Sequence, residues 1–187
     1  QKEEDWYFFD PSEMVYEDGK TLHDYFGKDF DDRYEDACRA AEYGHIKNFR
    51  KMPAKDLWKK MLKVLFETSH PWSTFKDACN IRYTNQHEGT VRSSNLCTEI
   101  TLHTKPSKYK EGEKVEVGET AVCNLGSINL LNHLNEDGDG IDYLKLEKNI
   151  NTAIRMLDNV IDLNFYPTRE SENSNLRNRP IGLGVMA

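Results

Sequence analysis

Arg92-Ser93-Ser94-Asn95-Leu96-Cys97-Thr98-Glu99-Ile100 sets an amide, a thiol and a carboxylate at i, i+2 and i+4. In an extended segment alternate side chains point to one side. Asn95, Cys97 and Glu99 would then share one space, with Leu96, Thr98 and Ile100 packing the other way. A carboxylate disfavours a neighbouring thiolate. The trio therefore suits a cysteine that reacts as a neutral thiol or a thiyl radical, beside a base that takes a proton from a substrate hydroxyl. The competing reading of the same spacing is a half-buried edge strand with its polar residues on the wet face.

Upstream of this stretch, 84–89 reads as a polar loop and Phe75 to Tyr83 as a short mixed segment. A helix is predicted from Pro53, a favoured first-turn residue, to about Ser69, burying Leu57, Trp58, Met61, Leu62, Val64 and Leu65. His70-Pro71-Trp72 breaks it. Another helical pattern runs from Thr21 to about Tyr43 through Leu22, Tyr25, Phe26, Phe30, Tyr34, Ala37, Cys38 and Ala41, with Gly44 as its stop. Cys38 on that stripe reads as a small core residue, and Cys79 as a packed thiol. Trp6-Tyr7-Phe8-Phe9-Asp10-Pro11 reads as a hydrophobic plug. His87 and His103 flank the central stretch without a partner at metal-ligand spacing and read as surface or loop histidines.

Downstream, Thr104 to Gly118 reads as a solvated excursion and Glu119 to Leu125 as a buried strand. Ser127 is a plausible N-cap for a helix through Ile128, Leu131 and Leu134. Asp137-Gly138-Asp139-Gly140 lacks the alternating ligands and closing glutamate of a calcium loop and reads as a simple turn. The longest helix is predicted from Tyr143 to about Asn164, with Leu146, Ile150, Ala153, Ile154, Leu157, Val160 and Ile161 on one face. Pro167 and a polar stretch to Arg179 then lead into a final buried strand from Ile181. Strands alternating with helices in this way make an α/β fold with a parallel sheet or barrel.

The 187 residues, 37% hydrophobic and 30% charged, fit one domain or one large piece of a bigger one. A net charge of −7 argues against a nucleic-acid or anionic-membrane surface. No apolar run approaches the roughly 18 residues of a membrane span, and no signal-peptide pattern opens the chain. Cys38, Cys79, Cys97 and Cys123 lie far apart with no CxxC pair, a poor zinc pattern and a poor secreted-disulfide pattern. A reducing, cytoplasmic setting is the expectation, with no metal site. The start at Gln1 rather than Met, and the apolar run Ile181 to Ala187, lead us to expect a fragment or one half of a split protein.

Three blocks in order carry a family resemblance: Ser94-Asn95-Leu96-Cys97-Thr98-Glu99-Ile100, Ala121-Val122-Cys123-Asn124-Leu125-Gly126-Ser127, and Asn178-Arg179-Pro180-Ile181-Gly182-Leu183-Gly184-Val185. Together they resemble the large, catalytic subunit of ribonucleotide reductase, and the likeness extends through Trp6 to Pro11 and Lys76 to Asn80. The resemblance implies that 1–187 is part of a ten-stranded α/β barrel, including the finger loop that carries the radical cysteine. On that loop the plain strand geometry of the central stretch would be too regular.

The resemblance also implies roles. Cys97 matches the thiyl-radical position, Glu99 the base for the ribose 3′-hydroxyl, and Asn95 the amide that hydrogen-bonds the sugar. Ser94 joins these three around the substrate, a ribonucleoside diphosphate. Cys123 matches one of two cysteines that become a disulfide, its partner lying outside this chain; neither Cys38 nor Cys79 matches it. No cofactor is expected on this segment. The whole enzyme is expected to need the remaining parts of the large subunit and a small subunit with a radical-generating di-metal centre, or alternatively adenosylcobalamin. ATP and deoxynucleotide effectors would bind elsewhere, thioredoxin or glutaredoxin would supply electrons, and the full large subunit would form a homodimer. The chain alone is expected to be inactive. A non-catalytic piece with the same fold is the alternative from a different class.

Overall fold

The structure, a computed structural model, describes residues 4–186, so Gln1 and Ala187 lie outside the described residues. The chain divides into two compact units, 1–101 and 102–187.

In the first unit the aromatic stretch expected as a plug is a strand. β1 (Asp5–Phe9) pairs antiparallel with β2 (Phe49–Pro53), setting Trp6 opposite Met52 and Phe8 opposite Arg50. Between them, α1 (Gly27–Glu42) starts later than the periodicity suggests. Thr21 and Asp24 cap each other in a capping box around a 3₁₀ turn, Leu22–Asp24, and the backbone at Tyr25 and Phe26 is extended. Gly44, at φ +77°, ends the helix as expected, with the His45 N–H donating to the Ala40 carbonyl at 2.8 Å. Ala37 and Ala41 of α1 pack with Met14 and Ile46 to form the core, fringed by Tyr7, Phe9, Tyr16 and Phe49. Cys38 is a half-buried free thiol whose ionisation burial pushes up, in keeping with a packing role.

α2 (Ala54–Thr68) follows Pro53 and ends before Ser69, close to the bounds its sequence predicts, with Ser69 in the left-handed region. Its apolar face is another matter. Leu57, Met61 and Leu65 are half-buried, but Trp58, Leu62 and Val64 are exposed and Phe66 is 92% exposed. The helix leans on β1 and β2, a two-stranded ribbon too narrow to cover more than one stripe of it. α3 (Lys76–Arg82) completes the unit's helices.

The second unit opens with a hairpin, β3 (Lys108–Lys110) and β4 (Glu113–Glu116), inside the expected solvated excursion. Glu111 and Gly112, both at positive φ, form the tight two-residue turn that suits strand twist. Its anchor is Glu170, which accepts from Ser107 Oγ at 2.7 Å and pairs with Lys114. Those two partners hold the Glu170 carboxyl down to about 2, against an ordinary 4.5. A depressed carboxyl favours the folded state above its ordinary range, and that contribution is lost as pH falls through the folded value. An NMR titration of the complete subunit should show a Glu170 carboxyl midpoint near 2; an ordinary midpoint would mean that the hairpin is not anchored there.

β5 (Asn124–Asn129) and β6 (Ile181–Met186) pair in parallel, from Asn124 opposite Ile181 to Asn129 opposite Met186. α4 (Tyr143–Leu163) and α5 (Arg169–Asn178) form the crossover that a parallel pair requires. α4 lies on both strands, with Ile161 fully buried, while Ile154 and Val160 of its predicted face are 42% exposed. The strand expected at Glu119 to Leu125 therefore sits further along the chain. Ser127 lies within β5 and caps nothing; Asn129 is the cap, its Oδ1 accepting from the Leu131 N–H at 3.0 Å, and a 3₁₀ turn (Leu130–His133) replaces the expected helix. The turn at 137–140 is the simple one expected, held by Asn135 Oδ1 accepting from Asp139 N at 3.1 Å. No helix among the described residues is long and apolar enough to cross a membrane.

Candidate active site

The central stretch is a turn, not an alternating strand. The Thr98 N–H donates to the Asn95 carbonyl at 3.1 Å, closing a turn with Leu96 and Cys97 at its tip. Asn95 Oδ1 accepts from the Ile100 N–H at 3.0 Å, so a short polar side chain supplies the acceptor that a neighbouring strand would have supplied. Thr98 sits at φ +67°, a region that a β-branched residue occupies only when its surroundings hold it there. The same-side alternation expected for Asn95, Cys97 and Glu99 is broken by this reversal. Leu96, expected to pack, is 78% exposed.

All three members of the trio thus belong to one loop, and all are exposed; Cys97 is a free thiol at its tip. Ser94 is half-buried, and its hydroxyl donates to the Asn95 carbonyl at 3.0 Å. The approach to the turn is anchored from the side. Asp24 accepts from Arg92 Nε at 2.8 Å, and its own carbonyl accepts from Thr90 Oγ1 at 2.9 Å. Burial pushes the Asp24 carboxyl up, but the Thr21 N–H and Arg92 overcome this and hold it below the usual range. Beside the approach lies a cavity of about 260 Å³ whose lining includes Trp72, Lys76, Cys79, Arg92, Ser94 and Thr101. Cys79 is half-buried there, on α3.

Cys123 stands in the second unit, half-buried and immediately before β5. Across the parallel pair is Gly182, where an added Cβ would lie 2.7 Å from Leu125 Cδ2 and 3.9 Å from Cys123 Sγ. A side chain at 182 would make the end of the half-exposed Leu125 side chain move aside. Arg179, left-handed at φ +46°, fixes the start of β6 by donating from Nε to Asp158 and from Nη1 to Asp162 on α4, at 2.9 and 2.8 Å.

Sequence reasoning missed one buried polar cluster. His103, expected as a surface or loop histidine, lies in a loop but is 2% exposed, with Nε2 3.0 Å from Glu119 Oε2. Glu119 also accepts from Arg177 Nη1 at 2.9 Å and Asn178 Nδ2 at 2.7 Å. Burial pushes the Glu119 carboxyl up, but Asn178, Lys105 and His103 hold it below its ordinary value. A fixed carboxylate thus anchors the segment that leads to Cys123. The hint was Glu119 itself, a charged residue opening an otherwise apolar run. His87 is exposed, as expected.

All of residues 1–187 match the family model of the ribonucleotide reductase barrel domain. The chain belongs to the ribonucleotide reductase family. It is 50% identical, over its whole length, to the ribonucleoside-diphosphate reductase subunit alpha of Chlamydia trachomatis, covering 16% of that protein. It is 37% identical to the subunit alpha of Helicobacter pylori strain J99, with 97% of this chain aligned to 27% of that one. With the ribonucleoside-diphosphate reductase large chain of Schizosaccharomyces pombe it shares 35% identity, over 99% of this chain and 20% of the relative. The chain thus spans well under a third of the relatives it matches. The expected fold class is borne out at this level: an α/β segment of the reductase barrel domain, in which β5, α4, α5 and β6 form a parallel strand–helix–strand unit.

Proposed function

We propose that this chain is the segment of a ribonucleoside-diphosphate reductase large subunit that carries the radical thiol, and that the whole enzyme reduces ribonucleotides to 2′-deoxyribonucleotides. The observation that carries the reading is Cys97, an exposed free thiol at the tip of a hydrogen-bonded turn between Asn95 and Glu99, in a chain that matches the reductase barrel over its full length.

In this reading Cys97, as a thiyl radical, takes the 3′ hydrogen of the ribose. The S–H bond formed is close in strength to the activated C–H bond broken, so the hydrogen can be returned at the end of the cycle. Glu99 takes the 3′-hydroxyl proton as general base. Asn95 has its Oδ1 committed to Ile100, and its NH₂ group donates to a sugar hydroxyl. Cys123 and a second cysteine outside this chain supply two electrons and two hydrogens; they become a disulfide while the 2′-hydroxyl leaves as water.

No residue of this segment is assigned to a cofactor. A separate small subunit fits relatives named subunit alpha, and in this reading the radical originates on that subunit, at a di-metal centre. Thioredoxin or glutaredoxin reduces the disulfide, effector nucleotides bind other parts of the large subunit, and the complete large subunit is a cytoplasmic homodimer.

Glu99→Gln in the assembled enzyme tests the base assignment. Gln keeps the size and the exposed position but cannot accept the proton. Turnover should fall by roughly 10²–10⁴-fold, the usual contribution of a general base, with the thermal unfolding midpoint unchanged. Wild-type turnover would remove Glu99 from that role.

A further inference from the structure

We infer that Asn80 is a positioning residue for the Cys97 turn, gripping the chain at Val91 so that the segment leading to the turn keeps one register. The inference rests on the assignment of Cys97 as the radical thiol. Asn80 sits on α3 and is 1% exposed, yet its side chain points at main chain rather than at another polar side chain. Its Oδ1 accepts from the Val91 N–H at 2.8 Å, and its Nδ2 donates to the Val91 carbonyl at 2.9 Å. Both backbone groups of one buried residue, itself 3% exposed, are thus satisfied by one amide. This is the bonding that a neighbouring strand would offer, compressed into a single side chain.

The chemistry explains why the residue is an asparagine. A primary amide presents an acceptor and a donor side by side from one planar group. An aspartate would set a second acceptor against the Val91 carbonyl, and a leucine would leave both Val91 groups buried and unpaired. The amide is itself held. Its Nδ2 also donates to the Lys76 carbonyl at 3.0 Å, and the Gln86 Nε2 donates to the Asn80 carbonyl at 2.6 Å, fixing the end of α3. Lys76 ties the other end of α3 to the 3₁₀ turn by donating to the His23 and Tyr25 carbonyls at 2.6 and 2.8 Å. That turn also carries Asp24, the partner of Thr90 and Arg92. Asn80 therefore transmits the position of a braced helix to the residue midway along the approach. Sliding the approach by one residue would place a different N–H and C=O before the amide, move Cys97 by the rise of one extended residue, and reverse the face that it presents.

The test uses the complete large subunit with its small subunit and compares Asn80→Ala, Asn80→Leu and Cys97→Ser with wild type. Asn80→Leu keeps the branched heavy-atom skeleton and fills the site, so that a cavity is not the cause of a loss shared by both variants. Two quantities are read: kcat and KM for the nucleoside diphosphate, and the rate of iodoacetamide alkylation at Cys97 and at Cys38, measured peptide by peptide by mass spectrometry. A turn freed from its register should lower kcat by on the order of 10²-fold, the usual cost of a reacting group misplaced by about an ångström, with KM changed by less than about threefold. Cys97 alkylation should change severalfold while Cys38, packed elsewhere in the same unit, labels as in wild type. Wild-type kcat in both Asn80 variants overturns the inference, and so does labelling that rises equally at Cys97 and Cys38, which would signify general loosening. Loss of turnover in Cys97→Ser alongside wild-type rates at Asn80 removes the positioning role alone. Normal turnover in Cys97→Ser brings down both the assignment of the thiol and the inference built on it.

Discussion

Cys97→Ser in the assembled enzyme should abolish nucleotide reduction, with a loss on the order of 10⁴-fold or more, the scale seen when a reacting group that acts with others as a unit is removed. That corresponds to about 5 kcal/mol of transition-state stabilisation. The cause lies in bond strengths. A serine O–H bond is much stronger than an S–H bond, so an oxygen radical at this position would be too costly to form and would not give its hydrogen back. Polarity and size change little, and Cys97 is exposed at the tip of its turn, so the fold should not register the substitution. Circular dichroism and thermal unfolding should match wild type, and association with the small subunit should persist. Measurable multiple turnover by Cys97→Ser would remove the thiyl assignment and leave the turn as scaffold.

Cys123→Ser should fail differently. In the proposed mechanism hydrogen abstraction by Cys97 does not need Cys123, so the first step should stay open. Replacing the 2′ C–O bond by C–H and releasing water takes two electrons and two hydrogens, and a lone remaining thiol cannot supply them by forming an intramolecular disulfide. Sustained deoxynucleotide formation with thioredoxin as reductant should therefore disappear, while exchange of the substrate 3′ hydrogen persists. Continuous turnover would contradict the redox role. So would simultaneous loss of the exchange, which would point to a packing defect around the half-buried Cys123 instead.

How far the sequence reached depended on what each buried face is made of. α1, α2 and α4 were legible because their inner stripes are apolar and recur every three to four residues. α5 was not. Its buried face is Ser171, Ser174 and Asn175, spaced as a helix requires but polar, so a hydrophobic period passes over it. Two of them have side-chain partners inside: Ser171 and Thr168 form a capping box, and Asn175 Nδ2 donates to Tyr166 Oη at 2.6 Å, although Asn175 Oδ1 is buried without one. The box, a threonine and a serine three apart just after Pro167, was the available signal. β5 was misplaced for a related reason. Glycine, serine and asparagine at 124–129 look like loop residues, yet they let the strand run against β6 and α4; a Cβ on Gly126 would already touch Leu157 and Leu183 at 3.5 and 3.4 Å.

The site divides along the same line. The residue types proposed for it came from the three motif blocks. The shape of the loop was not readable, because it depends on Asn95 bonding to its own backbone and on Thr98 adopting a conformation that no rule of composition assigns to threonine. Nor was Asn80 readable as the amide that grips Val91, since that contact joins a helix to an extended segment eleven residues on.

The parallel pair β5–β6 has a consequence for self-association. Among the described residues each strand has a single partner, so the sheet has two open edges, and Leu125, Val185 and Met186 on it are all more than half exposed. Open edges recruit strands from any source, including other copies of the same polypeptide. A sheet that curls round and meets itself has no such growth front. Closure of the barrel would therefore act as a safeguard against aggregation as well as a frame for chemistry, and this segment would depend on its neighbours in the barrel to stay monodisperse.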